Sequence, residues 1–548
     1  MGNWDVHLPE NYLKIPPALN MAEAVCGRWV AEGRGGDTAI VFGTERITFG
    51  ALHDRMRRCA RFLLDLGIGP GDTYVIRSPN HPGYVVAVLA GLRIGAVPVL
   101  SNSLLGPKEL GHVIDNSDAR AILTTQDRIE AVEAVRPDCP RLEHIILFDG
   151  ELPGTLPFDR FLDAEPAEVE RFQTGPEDRA CMLYTSGTTG PPKGIVHVHR
   201  WIVGTGDPVG NLMLKLRPGD LSWNPAEFSF MYAWGHGLMH CLYKGTAVFI
   251  HPGRFDPARA VGVIAENRIT VFSTVPTAYR MILAGEGEKG EGEDETPAAR
   301  GLDVLRLCVS SGETLPPETY REWKERFGCD IIDGLGVSEL QKFCCNLDGE
   351  PIKPGSTGKT IPGYVMEMHD DDGKPVPDGE VGRIALREDC PGLFVEYRKM
   401  PDRWAENHIN GWYYTGDLGR FDEDGYFWYL SRKDDLIKSR GYLISPKEVE
   451  ETCMEHPGVL EAGVIGLPDP EIGFRVKAYV ILKPSWPPGE AMAREVRDLL
   501  RERIALYKVP KIIEFLPDLP KTSTGKIRRN VLRERSLNEE AGEHRYDF

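Results

Sequence analysis

The sequence predicts an α/β protein: a large N-terminal domain of parallel, helix-covered sheets with a β-rich subdomain, then a small α+β C-terminal domain. From about residue 38 to residue 340, short β-rich segments alternate with longer segments of helical periodicity, which is typical of parallel sheets covered by helices. Short strands and turns dominate from about residue 355 to residue 430, and amphipathic helices return after about residue 436. These two changes of pattern predict the subdomain and the C-terminal domain.

The elements of the alternating part follow from apolar spacing. Leu52–Leu66 and Pro257–Asn267 carry apolar residues at helical intervals, so both segments predict amphipathic helices. The predicted strands are Thr73–Arg77, Ala121–Thr124, His144–Phe148, Ala247–Ile250, Thr270–Ser273 and Leu305–Val309. Residues 284–300 combine glycines and acidic residues without an apolar anchor, which predicts a solvated surface loop.

The later elements are shorter. Asp372-Gly373 and Asp424-Gly425 are typical of hairpin turns, since Gly accepts the positive φ that such turns require. The predicted elements of the last unit are a helix at Pro446–His456, strands at Val459–Ile465 and Val476–Leu482, and a helix near Glu490–Glu502.

Composition excludes several classes of protein. The 548 residues are 41% hydrophobic and 27% charged, a globular balance. The net charge is −18 with scattered basic residues, so we expect no nucleic-acid partner. Eleven cysteines without a C-x-x-C pair, and no signal peptide, predict a cytoplasmic protein with reduced thiols. Arg93 interrupts the most apolar stretch, so we expect no membrane span; a homodimer is left open.

The strongest chemical signal is the segment Tyr184–Gly194, where a β-rich run leads into small hydroxyl residues, glycines and a lysine. Glycines let backbone N–H groups approach an anion, hydroxyls add donors, and lysine adds charge, so the segment predicts a polyphosphate-binding loop. The spacing is not that of the Walker motif. A flexible surface turn is the structural alternative. The candidate phosphate-binding residues are Thr185, Ser186, Gly187, Thr188, Thr189, Gly190 and Lys193.

Residues 184–194 resemble the phosphate loop of the adenylate-forming superfamily, which includes acyl-CoA synthetases, adenylation domains of peptide synthetases and firefly-luciferase-like enzymes. Four further motifs follow in the family's order: Gly336–Glu339 resembles G-x-T-E, Tyr414–Asp417 matches Y-x-G-D, Arg432–Lys438 resembles R-x-D-D-x-I-K, and Pro520–Lys526 resembles P-K-T-x-x-G-K. The resemblance covers roughly residues 20–535.

The resemblance implies an enzyme that uses ATP, Mg²⁺ and coenzyme A. A carboxylate attacks the α-phosphorus of ATP, pyrophosphate leaves, and a thiol then releases AMP from the acyl-adenylate. It also implies an N-terminal adenylation domain (1–433) and a mobile C-terminal domain (434–548) that rotates about a hinge at Asp434. The first step needs positioning and charge neutralisation rather than a protein nucleophile.

The resemblance also assigns roles to single residues. Lys526 is the expected catalytic lysine, assisted by Thr188, and Glu339 is the expected Mg²⁺ ligand. Asp417 is expected to accept hydrogen bonds from the ribose hydroxyls. The other expected nucleotide or coenzyme A contacts are Ser311, Gly312, Glu313, Asp333, Gly334, Ser338, Arg432, Lys438 and Gly441. Ser338 stands where the family has Thr, and Ser431 where it has Gly.

The acyl pocket is expected in the aromatic-rich segment Phe228–Leu238 and the loops that face it. The candidate pocket residues are Tyr232, Trp234, His236, Gly312, Gly336 and Val337. Core packing is the alternative for the aromatic residues, since large rings are usually buried. Leu335 replaces the family's usual Tyr and, with Ile361–Tyr364 and Ser445–Glu450, resembles the benzoate– or 2-aminobenzoate–CoA ligase branch.

We therefore expect an AMP-forming acid–CoA ligase acting on a small, benzoate-like aromatic acid. The alternatives are a ligase for short- or medium-chain fatty or hydroxy acids, and a stand-alone adenylation enzyme that loads a carrier-protein thiol. Two further alternatives are a non-catalytic nucleotide-binding protein and an oxidative, luciferase-like variant. The binding partners that these functions imply are small molecules or a carrier-protein thiol.

Overall fold

The computed structural model describes residues 8, 10–163, 173–185, 192–287, 301–347, 350–440, 442–521, 526–538 and 544–548. Within these residues, the N-terminal part of the chain contains two mainly parallel sheets and an antiparallel subdomain, and the C-terminal part has a sheet of its own.

The first sheet is parallel in its centre and covered by helices on both faces. Its strands, in spatial order, are Glu396–Tyr397, Lys193–Val198, Arg179–Thr185, Val97–Leu100, Thr73–Ile76, Ala121–Thr124, His144–Leu147 and Leu156–Pro157. Helices Phe49–Asp65 and Pro82–Ile94 pack on the face of Tyr74 and Ile76. Helices Pro107–Ser117 and Ile129–Val135 pack on the opposite face, with Val75. This burial on both faces explains the continuous apolar strands.

The second sheet is likewise parallel in its centre and covered by helices. Its strands, in spatial order, are Lys359–Thr360, Cys344–Cys345, Ile331–Leu335, Leu307–Ser310, Val271–Thr274, Leu221–Trp223, Ala247–Ile250, Thr38–Phe42 and Glu45–Thr48. The six strands from Ile331–Leu335 to Thr38–Phe42 are parallel neighbours. The helices of this part of the chain are Arg28–Ala31, Trp201–Pro208, Met231–Trp234, His240–Tyr243, Ala260–Asn267, Pro276–Gly287 and Pro317–Phe327.

The β-rich subdomain is antiparallel. Its strands are Met366–His369, Gly382–Arg387, His408–Ile409, Trp412–Phe421 and Phe427–Arg432, with the short helix Pro401–Asn407 beside them. Both predicted turns are present, with φ of +80° at Gly373 and +76° at Gly425.

The C-terminal sheet follows directly. Its strands are Ile437–Ser439, Tyr442–Ile444, Val459–Asp469, Gly473–Leu482, Ile512–Phe515 and Arg545–Asp547, and its helices are Pro446–Met454, Glu490–Arg503 and Arg529–Asn538. A separate apolar cluster lies between this sheet and its helices. The predicted fold class is therefore confirmed, with parallel helix-covered sheets, a β-rich subdomain and a small α+β domain.

Two segments differ from the sequence-based predictions. Helix Pro276–Gly287 includes residues 284–287, which we had assigned to a loop, because buried Ile282 and Leu283 continue its packed face to that point; residues 288–300 lie outside the described residues. The helix predicted from Leu52 begins at Phe49, since the Thr48 hydroxyl caps it by accepting from the Ala51 N–H at 3.2 Å.

Neither the apolar stretch nor the cysteines contradict the sequence analysis. The most apolar stretch, near Tyr84–Leu100, forms part of helix Pro82–Ile94 and the buried strand Val97–Leu100. Arg93, which interrupts the stretch, pairs with Glu23. Among the described helices, none has the length and apolar character needed to cross a membrane. All eleven cysteines are buried free thiols.

Candidate active site

The carboxyl ends of the second sheet's parallel strands form one side of the candidate site. Ser311, Gly312 and Glu313 directly follow strand Leu307–Ser310, and Gly336–Glu339 directly follows strand Ile331–Leu335. In open α/β sheets, ligands bind outside the carboxyl ends of the strands. The fold thus brings together motifs that lie 25 residues apart in sequence.

The glycine–hydroxyl segment joins two paired strands of the first sheet. Thr185 and Lys193 are register partners at the end of this antiparallel pair. Ser186, Gly187, Thr188, Thr189 and Gly190 lie outside the described residues. Lys193 is half-buried; burial and Arg403 lower its pKa, while the nearby Glu339 carboxylate opposes the shift. Lys193 therefore lies within electrostatic reach of Glu339.

Glu339 is held by its backbone and its side chain. The Tyr397 hydroxyl donates to Glu339 Oε1 at 2.7 Å, and the Phe394 N–H donates to the Glu339 carbonyl at 2.8 Å. His197 Nε2 donates to the Ser338 carbonyl at 2.9 Å. Burial lowers the pKa of His197 to about 3, so the ring is neutral and the bond does not depend on pH near neutrality. This loop is consequently fixed before any ligand binds.

Asp417 and Arg432 face each other on neighbouring strands of the β-rich subdomain. The Tyr429 hydroxyl donates to Asp417 Oδ1 at 3.4 Å, and Arg432 Nε lies 4.0 Å from the same oxygen. Burial raises the pKa of Asp417, whereas the Arg432 and Lys526 cations oppose that shift. A buried carboxylate of this kind retains acceptor positions for hydroxyl groups.

Lys526 faces the same cleft from the C-terminal part of the chain. Burial lowers the pKa of its ammonium, the nearby Arg432 lowers it further, and the carboxylates of Asp417, Glu313 and Glu339 oppose the shift. The side chain is nevertheless exposed to solvent, as in an open cleft, so water screens these interactions. Lys526 therefore faces the motifs that follow the parallel strands of the second sheet.

Asp333 is a buried carboxylate within strand Ile331–Leu335. Its backbone N–H donates to Asn346 Oδ1 at 2.8 Å, and its Oδ2 accepts from the Leu315 N–H at 3.4 Å. Burial raises the Asp333 pKa to about 6, although Lys342 opposes this. Its Oδ1 is buried and has no partner in the described part of the chain. This oxygen is an acceptor that a ligand amino group could complete.

The glycines of these loops permit close backbone contact. A Cβ on Gly336 would lie 1.5 Å from the Gln341 carbonyl oxygen, so no other residue fits there. The Val337 carbonyl accepts from the Gln341 N–H at 2.7 Å, which closes the turn after the motif. Gly334 is buried, and Gly312 adopts φ +96°.

The aromatic-rich segment forms a helix with a π-helical turn at Gly235–Met239, a distortion that is frequent at functional sites. The Tyr232 hydroxyl donates to the carbonyls of Val309 (3.0 Å) and Thr274 (3.2 Å) at the strand ends. Trp234 is different: it is fully buried in the core cluster beside Trp201, as the core-packing alternative expects.

Sequence reasoning missed two buried residues beside this segment. Lys342 donates from Nζ to the Gly334 carbonyl at 2.6 Å and to Ser311 Oγ. Gln341 has φ +107°, rare for a residue with a side chain, and its Nε2 contacts His236 Nδ1. The available signal was the polar pair Gln341-Lys342 between Leu340 and the apolar residues Phe343–Cys345, next to a recognised motif.

The predicted hinge lies between two anchored residues. Asp434 is exposed in a short turn; Lys433 before it pairs with Asp371 at 2.6 Å in the β-rich subdomain. Asp435 after it pairs with Arg529 at 3.4 Å and Arg533 at 3.2 Å in the C-terminal part. Lys438 is exposed on strand Ile437–Ser439, and Gly441 lies outside the described residues.

Comparisons with known proteins agree with this geometry. The model of the AMP-binding enzyme family matches residues 27–397, and that of the AMP-binding enzyme C-terminal domain matches residues 448–526. The benzoate–CoA ligase of Thauera aromatica is 33% identical, over 95% of this chain and 97% of that protein. The 3-hydroxybenzoate–CoA ligase of Aromatoleum sp. (strain CIB) is 31% identical, over 94% and 97%.

A solved structure is similar over the same length. The anthranilate CoA ligase AuaEII in complex with anthranoyl-AMP has a TM-score of 0.86 and 34% identity, covering 95% of this chain and 98% of that one. The family match spans more than half of the chain and includes the sheet-end motifs described above. The chain belongs to the AMP-binding enzyme family.

Proposed function

We propose that this protein is an AMP-forming ligase that joins a small aromatic carboxylic acid to coenzyme A. The acid and ATP form an acyl-adenylate and pyrophosphate, and the coenzyme A thiol then forms acyl-CoA and AMP. The observation that carries the proposal is that Lys526 lies within electrostatic reach of Glu313, Glu339 and Asp417, which belong to different parts of the fold. The similarity to benzoate–, 3-hydroxybenzoate– and anthranilate–CoA ligases supports the aromatic acid.

In the first half-reaction, a carboxylate oxygen bonds to the α-phosphorus while the bond to the pyrophosphate oxygen breaks. Both reactants are anions, so the main task of the protein is to neutralise charge. Lys526 and Lys193 are two cations that both lie within electrostatic reach of the Glu339 carboxylate. One charge pair at about 4 Å and an effective dielectric near 20 contributes about 4 kcal/mol, which corresponds to roughly 10³-fold in rate.

The nucleoside would be held by two buried carboxylates. Asp417 would accept hydrogen bonds from the ribose hydroxyls, and Arg432 beside it opposes the rise of the Asp417 pKa that burial causes. The unpartnered Oδ1 of Asp333 accepts from the adenine amino group. The two groups would fix the nucleotide, which orients the α-phosphorus towards the acid.

Glu339 would be the protein ligand of Mg²⁺. Within the described residues, no cluster of three His, Cys, Asp or Glu side chains could hold a metal ion. One half-buried carboxylate nevertheless fits Mg²⁺, which is usually bound by one or two carboxylates together with phosphate oxygens. When bound, the ion would neutralise phosphate charge. Tyr397 and Phe394 hold Glu339 in place through their hydrogen bonds to it.

The second half-reaction requires Lys526 to give way to a thiol. We infer domains of residues 1–433 and 434–548, joined at Asp434, because the residues on either side of it are tied to different parts of the fold. Rotation there would withdraw Lys526 and bring Lys438 and Gly441 to the acyl-adenylate. A residue without Cβ at 441 leaves room for the narrow pantetheine arm.

The activity is tested by acid-dependent pyrophosphate release over a panel of benzoates, short- and medium-chain fatty acids and aliphatic hydroxy acids. We expect release with benzoates, and thioester formation when free coenzyme A is added. A preference for fatty acids would contradict the aromatic substrate. AMP release with a carrier-protein thiol but not with coenzyme A would contradict the ligase. No carboxylate-dependent release with any acid would overturn the enzyme assignment.

A further inference from the structure

Lys342 is a buried cation that has no ion pair within the part of the chain that the structure describes. Its side chain is 1% exposed, and it donates to the Gly334 carbonyl at 2.6 Å and to Ser311 Oγ. No carboxylate oxygen of the described residues lies within ion-pair distance of it; Asp333 acts on it only from further away. An ammonium has three donors, and two of them are used. Buried charges of this kind are normally paired, since desolvation is costly.

This cation lies where three of the segments expected to line the acyl pocket meet. Its Nζ is 5.5 Å from the centroid of the Tyr232 ring, and its two acceptors belong to the loops that end the parallel strands. Lys342 also acts electrostatically on His236, whose ring centroid lies 4.8 Å from that of Tyr232. The charge therefore lies beside Tyr232, a candidate residue of the acyl pocket.

His236 supplies a second unused donor. Burial and the Lys342 charge lower its pKa well below the usual range, so the ring is neutral. Its Nδ1 accepts from Gln341 Nε2, which places the ring hydrogen on Nε2. That Nε2 is buried and has no acceptor among the described residues.

Gln341 supplies an unused acceptor at the same place. Its Oε1 is buried and has no donor in the described part of the chain. The backbone holds this residue at φ +107°, a costly conformation that persists where the surroundings enforce it. The cluster thus presents two donors and one acceptor that no described residue satisfies.

A ligand group that both accepts and donates hydrogen bonds completes this cluster. A phenolic hydroxyl does both, a carboxylate only accepts, and an aromatic amine mainly donates. We propose that Lys342, His236 and Gln341 recognise a hydroxyl group on the ring of the acid substrate. This inference rests on the proposed function and adds the substituent to it.

The physical consequence is selectivity against unsubstituted rings. When the hydroxyl is missing, the buried donors and acceptor stay unpaired, and sites built to bond a substrate hydroxyl reject such analogues strongly. We expect kcat/KM for the best monohydroxybenzoate to exceed that for benzoate by at least about tenfold, since hydrogen bonds to charged groups are the stronger ones.

The first experiment needs only the unaltered protein. Pyrophosphate release is measured with benzoate, the three monohydroxybenzoates, the three aminobenzoates and the three benzenedicarboxylates. Preference for a hydroxybenzoate over all other classes supports the proposal. Equal or greater kcat/KM with benzoate, an aminobenzoate or a dicarboxylate overturns it but leaves the proposed function standing. Absence of release with any aromatic acid refutes the proposed function itself.

The second experiment uses Lys342→Met, which keeps the chain length and removes the charge. The hydroxybenzoate-to-benzoate ratio of kcat/KM is expected to fall at least about tenfold, with Lys342→Gln intermediate because its amide still donates. Lys244→Met is the matched control: Lys244 Nζ lies 5.7 Å from the Tyr243 ring, a similar geometry outside this cluster. An equal loss for both acids in Lys342→Met would overturn the proposal, because it indicates a purely structural role.

Discussion

The wall of the cleft formed by the second sheet is buried and tightly hydrogen-bonded, whereas the wall formed by the C-terminal domain is exposed. Asp333 and Lys342 are almost fully buried, and each bonds to backbone groups of neighbouring loops. Lys526, Lys438 and Asp434 are exposed. The difference teaches that the groups proposed to recognise the substrates are fixed by packing, while the lysine proposed to be catalytic occupies a place that can change at low energetic cost.

Polar contacts between the C-terminal domain and the rest of the protein, here called the rim, hold the two walls together. Ser445 Oγ donates to the Leu430 carbonyl at 2.6 Å, and Lys447 Nζ donates to the Tyr429 carbonyl at 2.9 Å. Arg280 pairs with Glu461 of the C-terminal domain at 3.7 Å. Interfaces between domains that are polar in this way favour relative motion.

The largest expected effect concerns the exposed wall. Lys526→Ala should lower acid-dependent pyrophosphate release by about 10³-fold, because one charge pair is lost from the transition state. Thioester formation from supplied acyl-adenylate should be retained, since that step does not use the lysine. Lys511→Ala, an exposed lysine of the same domain, is the control. Equal loss of both half-reactions would contradict the assignment of Lys526.

The buried wall is tested by Asp333→Asn. Burial raises the pKa of Asp333 from 3.8 to about 6 in the folded protein, so its contribution to stability is present below pH 4 and is lost as pH rises through 6. Removing the charge should therefore raise the free energy of unfolding at pH 8 by up to about 3 kcal/mol.

Urea unfolding at pH 4 and at pH 8 measures this effect. The difference between Asp333→Asn and the unaltered protein should grow with pH. A difference that is independent of pH would show that Asp333 is not desolvated, and the contrast between the two walls would weaken.

The hinge is tested by Asp434→Pro. Proline fixes φ at the one residue between the two anchored neighbours, so the thioester step should slow by about tenfold or more relative to adenylation. Asp434→Ala, which keeps backbone freedom, should leave the ratio of the two half-reactions unchanged. Impairment of adenylation alone by proline would place the rotation elsewhere.

The smallest expected effect concerns the rim. Glu461→Gln removes the ion pairs of Glu461 with Arg280 at 3.7 Å and with Lys521 of its own domain at 2.6 Å, so the arrangement with Lys526 in the cleft should become less populated and adenylation should slow about threefold. The thioester half-reaction should not slow. Glu490→Gln is the control, since Glu490 pairs only with Arg494 of its own helix at 2.6 Å among the described residues. Equal slowing by both variants would exclude a specific role of the rim.

Sequence reasoning predicted the long, periodic elements and the residue types of the motifs. Helix Glu490–Arg503 and strand Ala121–Thr124 lie where the apolar spacing indicates. Trp234 is predicted at the pocket because it lies in an aromatic-rich segment; the structure packs it beside Trp201, and its place at the pocket stays a prediction. Periodicity reports that a ring is buried, and it does not report what the ring faces.

The sequence by itself determined which local structures form and which chemical groups are available: alternating strands and helices, a glycine–hydroxyl loop, and a lysine on a glycine-containing segment near residue 526. Only the tertiary structure decided which groups share an environment. It set Asp417 opposite Arg432, brought Lys526 within electrostatic reach of Glu339, and left Lys342 buried with no ion pair among the described residues. The reason is that propensity and spacing are local properties of the chain, whereas desolvation and charge pairing depend on residues that are distant in sequence.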